Sequence, residues 1–248
     1  MNRKEQLIFG WHPVLEALDT GKEFQKVFML AKGKSERANE VMEKCSQRSI
    51  PVQFVPQQKL DRLTRKVHQG IVAFLSPIEF ADLDNLIASL YENGKTPSFM
   101  ALDGVTDVRN FGAICRSAEC FGFDGVIVPS KGMAPINEDA IKTSAGALMR
   151  LPVCRVKSMK SAISLLKNNG ITLFGMTEKA AEELSSYSYD QPVCLVMGSE
   201  DEGLSSEVMK HCDHLAKIPM MGKTQSLNVS VSAGVAMYEV LRNRSISF

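Results

Sequence analysis

No run of about 18 uninterrupted apolar residues occurs in the 248-residue chain, so nothing in it reads as a membrane-spanning helix. The first residues, Met1-Asn2-Arg3-Lys4-Glu5-Gln6, lead through a short apolar patch to Trp11-His12-Pro13. They have neither a long apolar core nor a small-residue cleavage site, which argues against a secretory leader. There is no Gly-x-Gly-x-x-Gly, so a dinucleotide-binding turn is not expected. Gly222-Lys223-Thr224 has the ending of a phosphate-binding loop, but Lys217 stands where that motif needs its first glycine. The six cysteines (45, 115, 120, 154, 194 and 212) are scattered, mostly in apolar runs. They read as small buried hydrophobes in a reducing compartment, and the expected location is cytoplasmic. His211-Cys212-Asp213-His214 lacks distant partners of metal-ligand type and reads as a charged helix end; no metal is expected. Internal repeats and low-complexity tracts are missing as well.

What is present is an ordinary globular composition, 44% hydrophobic and 23% charged, with a net charge of only +1. The charge is unevenly placed. Through Pro77, 13 Lys and Arg face 8 Asp and Glu; thereafter 16 face 20. A basic front on a mildly acidic remainder suggests that the front helps to hold a polyanion.

Residues 1–77 read as a small α/β domain. Trp11 to Leu18 has an apolar face at helical spacing, Val27 to Leu30 is a short buried strand, and Ser35 to Gln47 is a charged helix. Pro51 to Val55 alternates like a strand, Gln58 to Lys66 is a basic helix, and Gly70 to Leu75 is a further strand. On that helix Arg62, Arg65 and Lys66 would share a face, and they are the candidate RNA contacts. His12 and His68 also lie in this basic region. Residues 78–97 read as a linker that holds a helix-like stretch, Leu83 to Tyr91, and the turn signal Asn93-Gly94-Lys95-Thr96-Pro97.

From residue 98 to 248 strand and helix candidates alternate. The strands are Phe99–Leu102, Gly125–Val128, Val153–Val156, Thr172–Gly175, Val193–Met197 and Leu215–Ile218, and Val229 to Leu241 is a last helix. This alternation predicts an α/β domain with a mostly parallel sheet, whose ligands bind beyond the strand C-termini. Three segments follow strand candidates. The first runs from Leu102 to Arg116, with a helix beginning near Asn110, a good capping residue, and Arg116 in its second turn. The second is Val196-Met197-Gly198-Ser199-Glu200-Asp201-Glu202-Gly203-Leu204-Ser205, an acidic loop between two glycines. The third is Lys217-Ile218-Pro219-Met220, then Ser226-Leu227-Asn228-Val229-Ser230.

In order and spacing, Asn110-x-Gly112-x-x-x-Arg116, Gly198-x-Glu200-x-x-Gly203-Leu204 and Ile218-Pro219-Met220…Ser226-Leu227-Asn228-Val229-Ser230 resemble the three signature motifs of the SpoU-type (SPOUT superfamily) RNA 2′-O-ribose methyltransferases. The resemblance covers roughly residues 100–243. The front domain, on Gly10-Trp11-His12-Pro13-Val14, Glu16-Ala17-Leu18 and His68-Gln69-Gly70-Ile71, looks like the family's L30e-like RNA-binding extension. As a whole the chain most resembles members that methylate a guanosine of bacterial 23S rRNA.

The resemblance implies S-adenosylmethionine as cofactor, cradled at Gly198, Ile218 and Leu227 with Met197 and Met220 beside them. It further implies a C-terminal trefoil knot, one of the few exceptions to unthreaded chains, and a homodimer that completes the site across two subunits. The apolar character of Val229 to Leu241 on more than one face agrees with a covered helix. Arg116 is placed at the centre of catalysis, either as general base or, since a guanidinium rarely gives up its proton, as a phosphate-holding stabiliser of the alkoxide. Asn110 and Asn228 would orient the ribose or the arginine, with helix capping as the plain alternative. Ser226 would donate a hydrogen bond nearby, and Glu200 would orient Arg116 or bind the nucleotide. The competing functions are a tRNA ribose methyltransferase and a non-catalytic RNA-binding ribosome-assembly protein. Intact Asn110, Arg116, Glu200 and Asn228 speak against the latter.

Overall fold

A computed structural model of the chain describes residues 7–31, 35–224 and 226–244; the opening segment Met1–Gln6 lies outside them. The chain divides into two compact units, Met1–Glu79 and Phe80–Phe248.

In the first unit β1 (Leu7–Phe9), α1 (Trp11–Asp19), β2 (Phe24–Leu30), α2 (Glu36–Gln47), β3 (Val52–Val55), α3 (Gln57–Leu63) and β4 (Ile71–Leu75) follow in order. The strands form one sheet, β1-β4-β2-β3, in which β2 and β3 are parallel and β4 is antiparallel to β1 and β2. Strand alternation divides the core into two layers. Ile8, Val27, Met29, Ile71 and Ala73 meet Val14 and Leu18 of α1 and Val41 and Cys45 of α2. Phe9, Phe28, Val72 and Phe74 lie on the other side with Leu60 of α3.

Helix α3 is shorter than its sequence predicts. Thr64 is extended (φ −150°, ψ 139°), and its hydroxyl accepts from the Lys66 N–H at 3.2 Å, a local side-chain bond that competes with the helix. Only Arg62 is therefore helical; Arg65 and Lys66 follow in irregular chain and do not share a helix face with it. His68 is buried, not a surface contact. Its Nδ1 accepts from the Gly70 N–H at 3.0 Å, which leaves Nε2 to donate to Asp61 at 2.8 Å. The same turn receives the Trp11 indole N–H on the Gln69 carbonyl at 3.0 Å. Two widely separated sequence motifs thus meet at one turn. His12 is exposed.

In the second unit α4 (Leu83–Glu92), β5 (Ser98–Asp103), α5 (Val108–Cys120), β6 (Gly125–Pro129), α6 (Glu138–Thr143), β7 (Val153–Val156), α7 (Met159–Asn168), β8 (Thr172–Met176), β9 (Glu182–Glu183), β10 (Val193–Gly198), α8 (Ser206–His211), β11 (His214–Lys217) and α9 (Val229–Asn243) alternate. The sheet order is β7-β6-β5-β10-β8-β11-β9, and every neighbouring pair is parallel. The fold is mixed α/β on a parallel sheet whose inner strands β5, β6, β8 and β10 are buried on both faces, which accounts for their continuous apolar runs, while the edge strand β9 is exposed. Segment 78–97 is not a free linker over its whole length. Leu83, Ile87 and Leu90 of α4 lie in this unit's core, at about 1.5–3 kcal/mol each. Burial pushes the Cys154 and Cys212 thiols up to about 12, so both stay neutral.

The residues His211 to His214 act locally. Asp213 pairs with Lys167 at 2.7 Å and accepts from the Leu173 N–H at 2.9 Å, and the His214 ring stacks on Phe174. Among the described residues no group of three His, Cys, Asp or Glu is disposed to hold a metal ion.

Candidate active site

Strands β8, β10 and β11 end at Met176, Gly198 and Lys217, and a cleft of about 510 Å³ opens beyond those carboxyl ends. That is where parallel sheets bind ligands, and the volume lies within the roughly 300–1,000 Å³ of ligand clefts. The loop after β10 closes on itself: Ser199 N–H donates to Gly203 C=O at 3.0 Å and Gly203 N–H to Ser199 C=O at 3.1 Å. A Cβ on Gly198 would sit 2.0 Å from the Gly203 carbonyl carbon and 2.1 Å from the Leu204 nitrogen. The close approach that demands glycine is thus that of the loop's own backbone. The Asp103 carboxylate, at the end of β5, accepts from Ser205 N–H at 2.9 Å and ties the loop to the neighbouring strand.

Helix α5 starts earlier than the sequence suggests. Asp107 is its cap, accepting from the Arg109 and Asn110 N–H groups at 2.9 Å each. Asn110 is therefore inside the first turn with its side chain released from capping, and Arg116 falls in the third turn. The freed Asn110 amide donates to Glu200 Oε1 at 2.6 Å, and Asn228 Nδ2 donates to the same oxygen at 2.8 Å and to Asn110 Oδ1 at 3.1 Å. Asn228 also caps α9, its Oδ1 accepting from the Ser230 and Val231 N–H groups, so capping and site assembly coexist in one side chain. Glu200 joins all three motif segments.

The cleft is lined by Met197, Gly198, Glu200, Ile218, Met220, Ser226, Leu227 and Asn228, with Asn110 attached through Glu200. Arg116 is not among the lining residues. It is exposed on α5, six residues beyond Asn110, which is about 9 Å along the axis and about 120° around it. Among the described residues it makes no hydrogen bond or ion pair, so Glu200 does not orient it within one chain. Arg62, Arg65 and Lys66 belong to the first unit. Sequence reasoning missed Met176, Thr177, Glu178 and Lys179, which line the cleft from the end of β8. The rule that ligands sit beyond parallel strand ends was the signal that could have found them.

The lining suits an adenosyl sulfonium. Met176, Met197, Ile218 and Leu227 offer apolar surface, and Glu178, Glu200, Asp201 and Glu202 offer carboxylates to a cation. Nucleotide phosphates would face those same carboxylates unfavourably.

Residues 97–238 match the SpoU rRNA Methylase family, and residues 7–81 match the RNA 2′-O ribose methyltransferase substrate-binding family. A Bacillus subtilis (strain 168) protein named for the TrmH family of tRNA/rRNA methyltransferases is 34% identical over 99% of this chain and 98% of its own length. The SpoU methyltransferase AviRb from Streptomyces viridochromogenes, solved in complex with AdoMet, is similar at TM-score 0.61 and 25% identity, covering 96% of this chain and 90% of that one. An AdoMet-bound rRNA methyltransferase from Sinorhizobium meliloti shares the fold at TM-score 0.63 and 23% identity, over 98% of this chain and 88% of that one.

Proposed function

The chain belongs to the SpoU rRNA methylase family, and on that premise we propose that it transfers a methyl group from S-adenosylmethionine to a ribose 2′-hydroxyl of RNA, with a guanosine of 23S rRNA as its target. It is an S-adenosylmethionine-dependent RNA methyltransferase. The observation that carries the finer reading is the convergence of Asn110, Glu200 and Asn228 on one carboxylate oxygen at an acid-lined cleft. The substrate-binding match over residues 7–81 supports a reading in which the first unit takes part in choosing the RNA, with Arg62, Arg65 and Lys66 among its basic side chains. The relatives' names cover tRNA as well as rRNA, and a tRNA ribose is the second reading.

The cofactor supplies an electrophilic methyl on a sulfonium sulfur. The residues that would hold it are Met197, Gly198, Ile218, Met220 and Leu227. The chain must place a weak nucleophile, the 2′-hydroxyl, and stabilise the alkoxide that develops. Glu200 fixes the Asn110 and Asn228 amides so that they need no reorganisation when the ribose arrives. Ser226, exposed at the cleft, offers a hydroxyl donor. A guanidinium rarely gives up its proton, so we assign Arg116 to the phosphate and the alkoxide, while the hydroxyl proton passes to water at the open cleft.

Because Arg116 lies outside its own chain's cleft, we assign that role to the partner subunit's Arg116 in a homodimer built on the second unit. Helix α9 supports such an interface: Val231, Val235 and Tyr238 are 50%, 40% and 53% exposed while its other face is buried. We also read the first unit as L30e-like. On the family membership we further propose that the C-terminal segment is threaded as a trefoil. We also propose a reducing, cytoplasmic setting, in which the buried thiols of Cys115, Cys154 and Cys194 stay reduced.

The test is Arg116→Lys. An ammonium lacks the planar fork that holds phosphate and hydroxyl together, so S-adenosylmethionine affinity by calorimetry stays at the wild-type value while single-turnover transfer to RNA falls by about 100-fold or more. Near-normal transfer by the lysine variant overturns the assignment.

A further inference from the structure

The sheet face of the first unit opposite α1 and α2 combines open aromatic rings with unpaired positive charge. Cross-strand register puts Lys26 opposite Phe74 and Phe28 opposite Val72, with Phe9 opposite Val72 on the far side of β4. All of these side chains therefore share a face. Phe28 and Phe74 meet edge to face at 6.0 Å and 79°. The cover on this face, Leu60 and Leu63 of the seven-residue α3, leaves Phe9 and Phe74 half-buried.

The charges on this face repel one another. The Lys26 and Lys59 ammonium groups both lie over the Phe28 ring, at 5.1 and 5.3 Å from its centre, and the Lys66 ammonium lies 5.6 Å from the centre of Phe9. Among the described residues no carboxylate pairs with any of the three, and the one acid of α3, Asp61, is engaged by His68. Partial burial, and then the nearby Lys59, hold the Lys26 ammonium below the usual lysine range. A ring attracts a cation only weakly at exposed sites, about 0.5–1 kcal/mol. Two ammonium groups on one ring without a carboxylate are better satisfied by an external anion.

We propose that this face is a docking platform for an unpaired stretch of the RNA substrate, with backbone phosphates on Lys26, Lys59 and Lys66 and unstacked bases against Phe74 and Phe9. The proposal rests on the RNA-methyltransferase reading and specifies where its substrate is held. Lysines alone would suit any polyanion. Flat rings interleaved with them select a polyanion that carries flat bases, and bases are free to stack only where the RNA is unpaired.

The experiment uses the full chain, with fluorescence anisotropy on a single-stranded oligonucleotide and on a duplex of equal length across a salt series. Lys26→Gln combined with Lys59→Gln weakens single-strand binding and reduces the slope of log affinity against log salt by about 1.4, roughly 0.7 per lost phosphate contact. Phe74→Leu, which keeps an apolar group against Phe28, lowers single-strand affinity by roughly fivefold or more and leaves the salt slope unchanged. S-adenosylmethionine affinity stays at the wild-type value and thermal unfolding stays cooperative in both variants, and these serve as folding controls.

Wild-type single-strand affinity and salt slope in the double lysine variant overturn the platform. So do equal losses on duplex and single strand in Phe74→Leu, or competition by polyglutamate as effective as by RNA, which would mark an acidic protein as the occupant. If the wild-type chain itself neither binds nor methylates RNA, the functional reading fails. If it does both and the variants match it, only the platform fails.

Discussion

Gly198 admits no side chain, because its Cβ would fall inside the backbone of Gly203 and Leu204. Gly198→Ala must therefore displace the 199–205 loop and with it Glu200, to which both asparagine amides are bonded. Overpacking of this kind costs about 3 kcal/mol. The expected outcome is a protein that still folds, with its urea midpoint lowered and with calorimetric S-adenosylmethionine binding lost. Unchanged binding by the alanine variant would mean that the loop closure seen here does not shape the cleft. The resemblance marked Gly198 as a candidate cofactor residue, but the steric reason for its being glycine, the approach of its own loop's backbone, came from the structure. Glu200, Asn110 and Asn228 were each legible as candidate site residues, whereas the bonds that join them became apparent only once the three segments were brought together.

At the scale of elements, periodicity and strand chemistry located six of the second unit's seven strands to within a residue at each end, and missed the two-residue β9. Val153–Val156 is identical in sequence reading and structure, and β10 extends one residue past the expected Met197. Boundaries set by capping were less legible. Asp107 and Asn110 are both good caps, and only the observed bonds from Arg109 and Asn110 N–H to Asp107 decide between them. The end of α3 depended on a hydroxyl bond at Thr64 that no periodicity encodes. The far end of α9 holds another such feature. The Arg244 guanidinium donates to the carbonyls of Tyr189 at 2.8 Å, Gln191 at 2.9 Å, Thr96 and Pro97, and to the Ser98 hydroxyl. It pins the last helix to the start of β5 and to the segment before β10. Hydrogen bonds to charged groups contribute about 1.5–3 kcal/mol, so Arg244→Met should lower the stability of the chain by at least about 2 kcal/mol in urea unfolding. Arg244→Lys should restore little of it, since one ammonium has three donors and cannot reach five acceptors. Full stability in the lysine variant would show that charge, rather than the guanidinium fork, holds the helix.

At the scale of the whole molecule, one chain gathers a cleft and its asparagine–glutamate network but leaves Arg116 outside. A homodimer in which each subunit completes the other's site predicts complementation. Arg116→Ala and Glu200→Ala should each be inactive alone. Unfolded together and refolded at equal concentration, they should recover up to about one quarter of wild-type activity, since half of randomly assembled dimers are mixed and each has one intact site. No recovery from a mixture shown by mass spectrometry to contain mixed dimers would return Arg116 to its own chain's cleft. The central claim, methylation of a ribose hydroxyl, has a chemical signature that no base methylation shares: a 2′-O-methyl group removes the nucleophile of alkaline RNA cleavage. The direct measurement is therefore to incubate the wild-type chain with unmodified 23S rRNA and isotopically labelled S-adenosylmethionine, hydrolyse the RNA in alkali, and identify where the label resides. Label is expected in an alkali-resistant dinucleotide whose 5′ member is a 2′-O-methylated guanosine. Label recovered on a base within ordinary mononucleotides would contradict it.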